Sequence, residues 1–242
     1  MELFYNFLFI GFPYLSIGVF VIGTIHRYRS TPYKYSSLSS QFLEGGSLFW
    51  GAVPFHFGIL VVFFGHLITF LFPAATLMWN SHPLRLIILE GSAFIFGVSV
   101  FISLFNLFYR RLFNERVQMV TTRMDIVIEL LIWMQVVLGL WVALGYRWGS
   151  SWFAADLTPY LRSLFLLQPD IHAVSAMPTV IQLHIVGAFT IFLLVPFTRL
   201  VHFLVAPLNY IVRPYQQVIW NVDRKRVRDP ETAWSPTQPR NN

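Results

Sequence analysis

Long apolar runs separated by short polar connections dominate this chain. Residues 3–25, 49–75, 85–109, 124–147 and 179–208 are each long and apolar enough to cross a bilayer. A hydrocarbon core of ~30 Å takes ~20 residues of α-helix. The apolar positions are continuous rather than alternating, so the pattern predicts helices and argues against a β-barrel. The connection 26–48 is polar and rich in Ser and Tyr (Tyr33-Lys34-Tyr35-Ser36-Ser37), which predicts an ordered or partner-facing loop. The connection 148–178 holds Trp152, Phe153, Leu164, Phe165, Leu166 and Leu167, too apolar a set for free solvent. It predicts a short helix at the membrane surface near 157–167. Residues 221–242 carry basic groups, Pro230, Pro236 and Pro239 but few apolar side chains, so they form a tail with no core of its own. The predicted organisation is an all-α, five-helix integral membrane domain over 1–220, followed by that basic tail.

Composition supports the assignment. Hydrophobic residues make up 56% of the chain and charged residues 12%, about half the charged share of a soluble domain. Met1-Glu2-Leu3 lacks the basic start of a cleavable signal, so the first segment is expected to stay as a span. The basic residues lie mostly in alternate connections. Arg27, Arg29, Lys34, Arg110, Arg111, Arg116, Arg123, Arg213, Arg224, Lys225, Arg226, Arg228 and Arg240 fall on one side, against Arg85, Arg147 and Arg162 on the other. The basic side is expected to be cytoplasmic, with the N-terminus outside and the C-terminus inside the cell inner membrane. The net charge of +6 follows this topology and gives no nucleic-acid signal. With no cysteine, the chain forms no disulfide, no Cys-ligated iron–sulfur cluster and no c-type haem attachment.

Four histidines lie inside apolar segments: His56 and His66 in the second, His184 and His202 in the fifth. An imidazole in hydrocarbon is rare and marks a ligand, a relay or a pair. The second segment runs outward and the fifth inward, so antiparallel packing brings His66 level with His184 and His56 level with His202. Two bis-histidine levels suit two haem b groups, since haem iron accepts one axial His on each side. On an unbroken helix, the 18 residues from His184 to His202 return to the same face after ~27 Å of rise, whereas the ten from His56 to His66 turn by about −80° over ~15 Å. Gly58, Gly65 and Gly187 would let a neighbouring helix or a flat ring approach closely. Arg199, three residues before His202, is placed to meet a propionate of the inner haem. Two other roles are open to membrane histidines: hydrogen bonds between helices, and a bare metal or proton-relay site, although the segments lack the acids the latter favours. His26 and His172 are read as solvated connection residues, and His82 as a boundary residue of either kind.

Phe55-His56-Phe57-Gly58-Ile59-Leu60 with Gly65-His66, Leu183-His184, and Pro196-Phe197-Thr198-Arg199-Leu200-Val201-His202 together resemble the respiratory nitrate reductase gamma subunit family. Arg110-Arg111-Leu112-Phe113 and Thr121-Thr122-Arg123-x-Asp125 resemble an inner loop of that family. The resemblance covers roughly residues 3–220. It implies a dihaem cytochrome b that oxidises quinol at the outer face and anchors a cytoplasmic iron–sulfur beta subunit and a molybdenum-containing alpha subunit. It further implies that His66 and His184 hold the outer haem and His56 and His202 the inner one. The family's quinol site uses a Lys where this chain has His82-Pro83-Leu84-Arg85, so the resemblance points to Arg85. Arg keeps the cation but changes the hydrogen-bond geometry and does not deprotonate. Glu90, further along the same segment, is a candidate proton acceptor; the plainer role is an interfacial carboxyl or a partner for Arg85. The same scaffold would serve a nitrite-oxidising or other molybdoenzyme complex with the opposite electron direction. A non-redox transporter or scaffold is the alternative of another class.

Overall fold

The computed structural model describes residues 2–30, 43 and 45–205, and these are all-helical and without strands. Most of the 26–48 connection, Lys34, Arg213 and the 221–242 tail with its basic residues lie outside the described residues. Among the described residues, five helices are long and apolar enough to cross a membrane: Glu2–Ser30, Leu48–Leu71, Pro83–Phe113, Arg123–Gly145 and Thr179–Phe197. They correspond in order to the five runs read from the pattern and are called the first to fifth spans below.

The second and third spans pack antiparallel along a glycine seam. A Cβ at Gly51 would collide with the Leu107 side chain, and one at Gly58 would come within 2.9 Å of the Phe96 carbonyl oxygen and 2.6 Å of Val100. Only glycine permits backbones this close. At Gly65, seven residues further on, nothing lies within 4 Å of that position, so the seam is open beside His66.

The ends of the bundle differ in chemistry. At one end, Arg110 and Arg111 close the third span, and Asp125 in a Thr122–Asp125 capping box opens the fourth. Here the Arg111 Nε donates to Glu129 Oε2 at 2.7 Å. The opposite end holds a buried apolar core of Phe9, Val142, Leu157, Tyr160, Leu164, Val174, Ile181 and Ile185. The 148–178 connection supplies much of it, through short helices Gly149–Trp152, Thr158–Phe165 and His172–Ala176 and a π-helical turn Phe153–Leu157. The expected surface helix is thus Thr158–Phe165. Tyr160 donates to the Phe9 carbonyl at 2.8 Å and Tyr14 to the Leu164 carbonyl at 2.9 Å. Phe9 lies in a π-helical turn of the first span, Phe7–Gly11, and the Tyr160 hydroxyl satisfies a carbonyl in that widened turn.

Two span ends differ from the sequence reading. The second span stops at Leu71 instead of continuing to 75, because Phe72 leaves helical geometry and Pro73 starts a new helix, Pro73–Asn80. The Arg162 guanidinium donates to the Phe70 and Leu71 carbonyls, both at 2.9 Å, and so caps the broken end. The fifth span is α-helical only from Thr179 to Leu194; 3₁₀ turns follow at Val195–Phe197 and Arg199–Val205. Pro196 is the physical reason, since it has no N–H to donate and its ring clashes with the carbonyl four residues earlier. His184 and His202 therefore do not share one continuous α-helix, and the same-face argument over 18 residues does not hold. The first span backs the break: a Cβ on Gly23 would meet Pro196 at 2.9 Å, and Arg27 donates to the Pro196 and Thr198 carbonyls at 2.7 and 2.6 Å. His26, expected in a connection, is an exposed residue within the helix Phe12–Ser30.

Candidate functional site

Despite the broken helix, His56 and His202 meet. Their ring centroids are 6.2 Å apart and the ring planes cross at 68°. The His56 Nδ1 donates to the Ala52 carbonyl at 2.6 Å, and the His202 Nδ1 to the Arg199 carbonyl at 2.7 Å. A carbonyl only accepts, so these bonds place the proton on Nδ1 and leave the Nε2 lone pair free for a ligand. Backbone carbonyls orient metal-ligating histidines in this way.

Nearer the other end, the His66 Nδ1 donates to the Val62 carbonyl at 2.8 Å, again leaving Nε2 free. Phe153 packs edge-on against this ring at 5.5 Å. His184 precedes Ile185, which belongs to the apolar core that Phe153 packs against. The His184 ring sits over Gly139, where a Cβ would come within 3.1 Å of Cε1, so the fourth span is hollowed to receive it. The His184 Nδ1 is buried without a hydrogen-bond partner, unlike the other three. Gln135, one turn before Gly139, donates from Nε2 to the His184 carbonyl at 2.8 Å. The Gln135 Oε1 is buried and unpartnered, packed where a Cβ on Gly187 would stand. Gln135 escapes sequence reasoning because a polar residue in an apolar segment carries no spacing signal. The glycine roles are also redistributed: Gly58 serves helix packing, Gly187 receives Gln135, and Gly65 alone faces open space.

Arg199, expected to face a carboxylate ligand, is held by protein groups. Its Nε is 2.8 Å from Asp125 Oδ1 and its Nη2 donates to the Val120 carbonyl at 2.7 Å. Any ligand carboxylate would share it with Asp125.

Arg85 is exposed at the start of the third span, 5.3 Å from the Trp79 ring centre, and its carbonyl accepts from the Trp79 indole at 3.2 Å. Glu90 bonds to Ser150: its Oε1 accepts from the Ser150 N–H at 2.8 Å and the Ser150 hydroxyl at 2.6 Å. Asn80 donates to the hydroxyls of Ser150 and Ser151, both at 2.9 Å. Glu90 thereby fixes the turn that leads to Phe153 and so to His66. His82 is exposed at the N-cap of Pro83–Phe113, and His172 is exposed at the start of His172–Ala176.

Residues 5–221 match the family model of the nitrate reductase gamma subunit. The chain is 32% identical over 208 residues to the nitrate reductase gamma chain of Bacillus subtilis (strain 168), covering 84% of this chain and 92% of that protein. It is 35% identical over 214 residues to the respiratory nitrate reductase 2 gamma chain of Escherichia coli (strain K12), covering 86% and 93%. The respiratory nitrate reductase 1 gamma chain of the same organism is 31% identical over 226 residues, covering 90% and 98%. With nearly the whole helical domain matched by the family and by these relatives, the chain belongs to the nitrate reductase gamma subunit family.

Proposed function

We propose that this chain is the membrane electron-transfer subunit of a nitrate reductase complex, carrying two b haems between an outer quinol site and cytoplasmic iron–sulfur and molybdenum subunits. The observation that carries this is the His56–His202 pair. Metal–imidazole bonds of about 2 Å on either side of one iron put two ring centres about 6 Å apart; the observed separation is 6.2 Å. A haem would need only two protein ligands, which His56 and His202 would supply. A bare ion would ask for more protein donors, and among the described residues no group of three or more His, Asp or Glu gathers to hold one. The open face at Gly65 beside His66 suits a flat ring at the second level. When bound, haem supplies reversible one-electron transfer.

The chain's own residues then divide the work. His56 and His202 bind at the cytoplasmic level, His66 and His184 at the outer level, and backbone carbonyls on Nδ1 fix the rings of His56, His66 and His202. Quinol oxidation yields quinone, two protons and two electrons. In this proposal Arg85, steadied by Trp79, donates to a quinol oxygen. Glu90, held on Ser150, receives a proton and passes it to the outer surface. The electrons leave inward, towards the partner subunits.

The test is a reduced-minus-oxidised spectrum and haem assay of the purified complex. Two b haems per chain are expected, with reduction by added quinol. Absence of a b-type α-band would overturn the proposal and favour a non-redox scaffold.

A further inference from the structure

We infer that Asp125 is a positioning residue for His202, and that it sets the axial ligand of the cytoplasmic-side haem from a different span. The inference rests on the haem reading above. Its basis is a short relay of contacts. Asp125 Oδ1 lies 2.8 Å from Arg199 Nε, and the Arg199 carbonyl accepts from His202 Nδ1 at 2.7 Å. The Arg199 Nη2 is fixed in turn on the Val120 carbonyl at 2.7 Å.

The His202 segment needs such an anchor. Thr198 is extended (φ −121°, ψ 177°), and the residues after it form only a 3₁₀ stretch. Hydrogen-bond geometry is poorer in 3₁₀ turns than in an α-helix, so the helix before Pro196 passes little rigidity to His202. The carbonyl that holds the imidazole belongs to the residue whose side chain Asp125 grips, so releasing the guanidinium removes a tether from the backbone segment that carries this carbonyl.

Asp125 is itself immobile. It is 5% exposed, its Oδ2 accepts from the Thr122 N–H at 2.9 Å, and Arg111 Nη1 approaches that oxygen at 3.7 Å. Arg111 is fixed by Glu129 on the fourth span. One carboxylate oxygen therefore starts the fourth span while the other places the ligand segment of the fifth. Both oxygens are taken by protein groups, so the effect runs through Arg199.

The experiment compares Asp125→Asn with Thr122→Val in the intact complex. An amide keeps an acceptor for the Thr122 N–H but loses the charge that holds Arg199. Thr122→Val removes half of the capping box and leaves the Arg199 pair. The readouts are the electron paramagnetic resonance signals of the two ferric haems, their midpoint potentials by redox titration, and haem retention on dilution. In Asp125→Asn the cytoplasmic-side haem is expected to shift in signal and potential and to be held about 10-fold or more weakly, the usual scale for losing an outer-shell partner. The outer haem, unchanged, reports that the chain is folded. Thr122→Val is expected to leave both haems as in the wild type. Unchanged haems in Asp125→Asn, or the same change in both variants, would overturn the inference and leave the haem reading standing. If Asp125→Asn yields no folded complex, Arg199→Lys decides on the same readouts, with a selective change at one haem expected and no change refuting. A wild-type complex without two b-type signals removes the haem reading and this inference together.

Discussion

Replacing Gly58 by Ala tests the seam that brings the second and third spans together. The new Cβ would stand 2.6 Å from Val100 Cγ2 and 2.9 Å from the Phe96 carbonyl oxygen. Side-chain rotation relieves the first contact but not the second, which is to backbone, so the spans must separate by several tenths of an ångström. Overpacking of this kind costs ~1–3 kcal/mol. Against it stands the higher helix propensity of Ala, ~1 kcal/mol. Gly18→Ala is the internal control: it lies mid-helix in the first span with nothing within 4 Å. The propensity gain is common to both variants and cancels, leaving Gly58→Ala less stable than Gly18→Ala by ~1–3 kcal/mol. At ~1.4 kcal/mol per tenfold change, the gap is readily measured. The assay is reversible unfolding in mixed micelles of rising dodecyl sulfate fraction, followed by helical circular dichroism. Because His56 is two residues before Gly58, the signal of the His56–His202 level should also move in Gly58→Ala. Equal unfolding midpoints and slopes for the two variants would refute the close-packed seam.

His66→Ala should abolish the outer b-haem signal and leave the other, measured by redox titration; equal loss of both in a folded protein would count against separate sites. Arg27→Met strips a charged donor from the Pro196 and Thr198 carbonyls and should destabilise the chain by about 3 kcal/mol in the same unfolding assay. Burial pushes the Tyr160 phenol above the usual tyrosine range. The unfolded chain therefore loses that proton first, and stability falls as pH rises past about 10; Tyr160→Phe should flatten this alkaline fall while costing ~1 kcal/mol at neutral pH through the lost bond to Phe9. Arg85→Ala should slow haem reduction by quinol while the spectra stay intact; a wild-type rate would place the quinol site elsewhere.

Pattern alone located the spans and the approach of His56 to His202, because both follow from forces that act on every residue of a segment: hydrocarbon length and antiparallel return. What the pattern missed was decided by single residues. Pro196 stood in plain view, yet the apolar run continues through it, and hydropathy carries no term for a missing N–H. Arg27 and Arg162 counted only as topology charges, although each caps a broken helix from more than 90 residues away in sequence. Glu90, read as a candidate proton acceptor with an interfacial carboxyl or an Arg85 partner as the plainer roles, bonds Ser150 across a 60-residue interval. Gln135 and Asp125 influence histidines through backbone carbonyls, and no spacing rule reports a carbonyl's position.

The interruption at Pro196 also fixes an order of assembly. The Arg199–Val205 stretch is too short and too weakly bonded to hold its shape in isolation. Arg27 of the first span holds the carbonyls just before it, and Asp125 of the fourth holds its first residue. In a chain made from its N-terminus, the fifth span is the last to emerge. The His56–His202 level is therefore completed after the rest of the bundle, whereas His184, on regular helix, is ready as soon as its span docks. The same logic runs backwards in local opening: the stretch after Pro196 is the segment that detaches first. The partly assembled bundle would have all five spans docked through Leu194, with His184 in place and the Arg199–Val205 stretch still open.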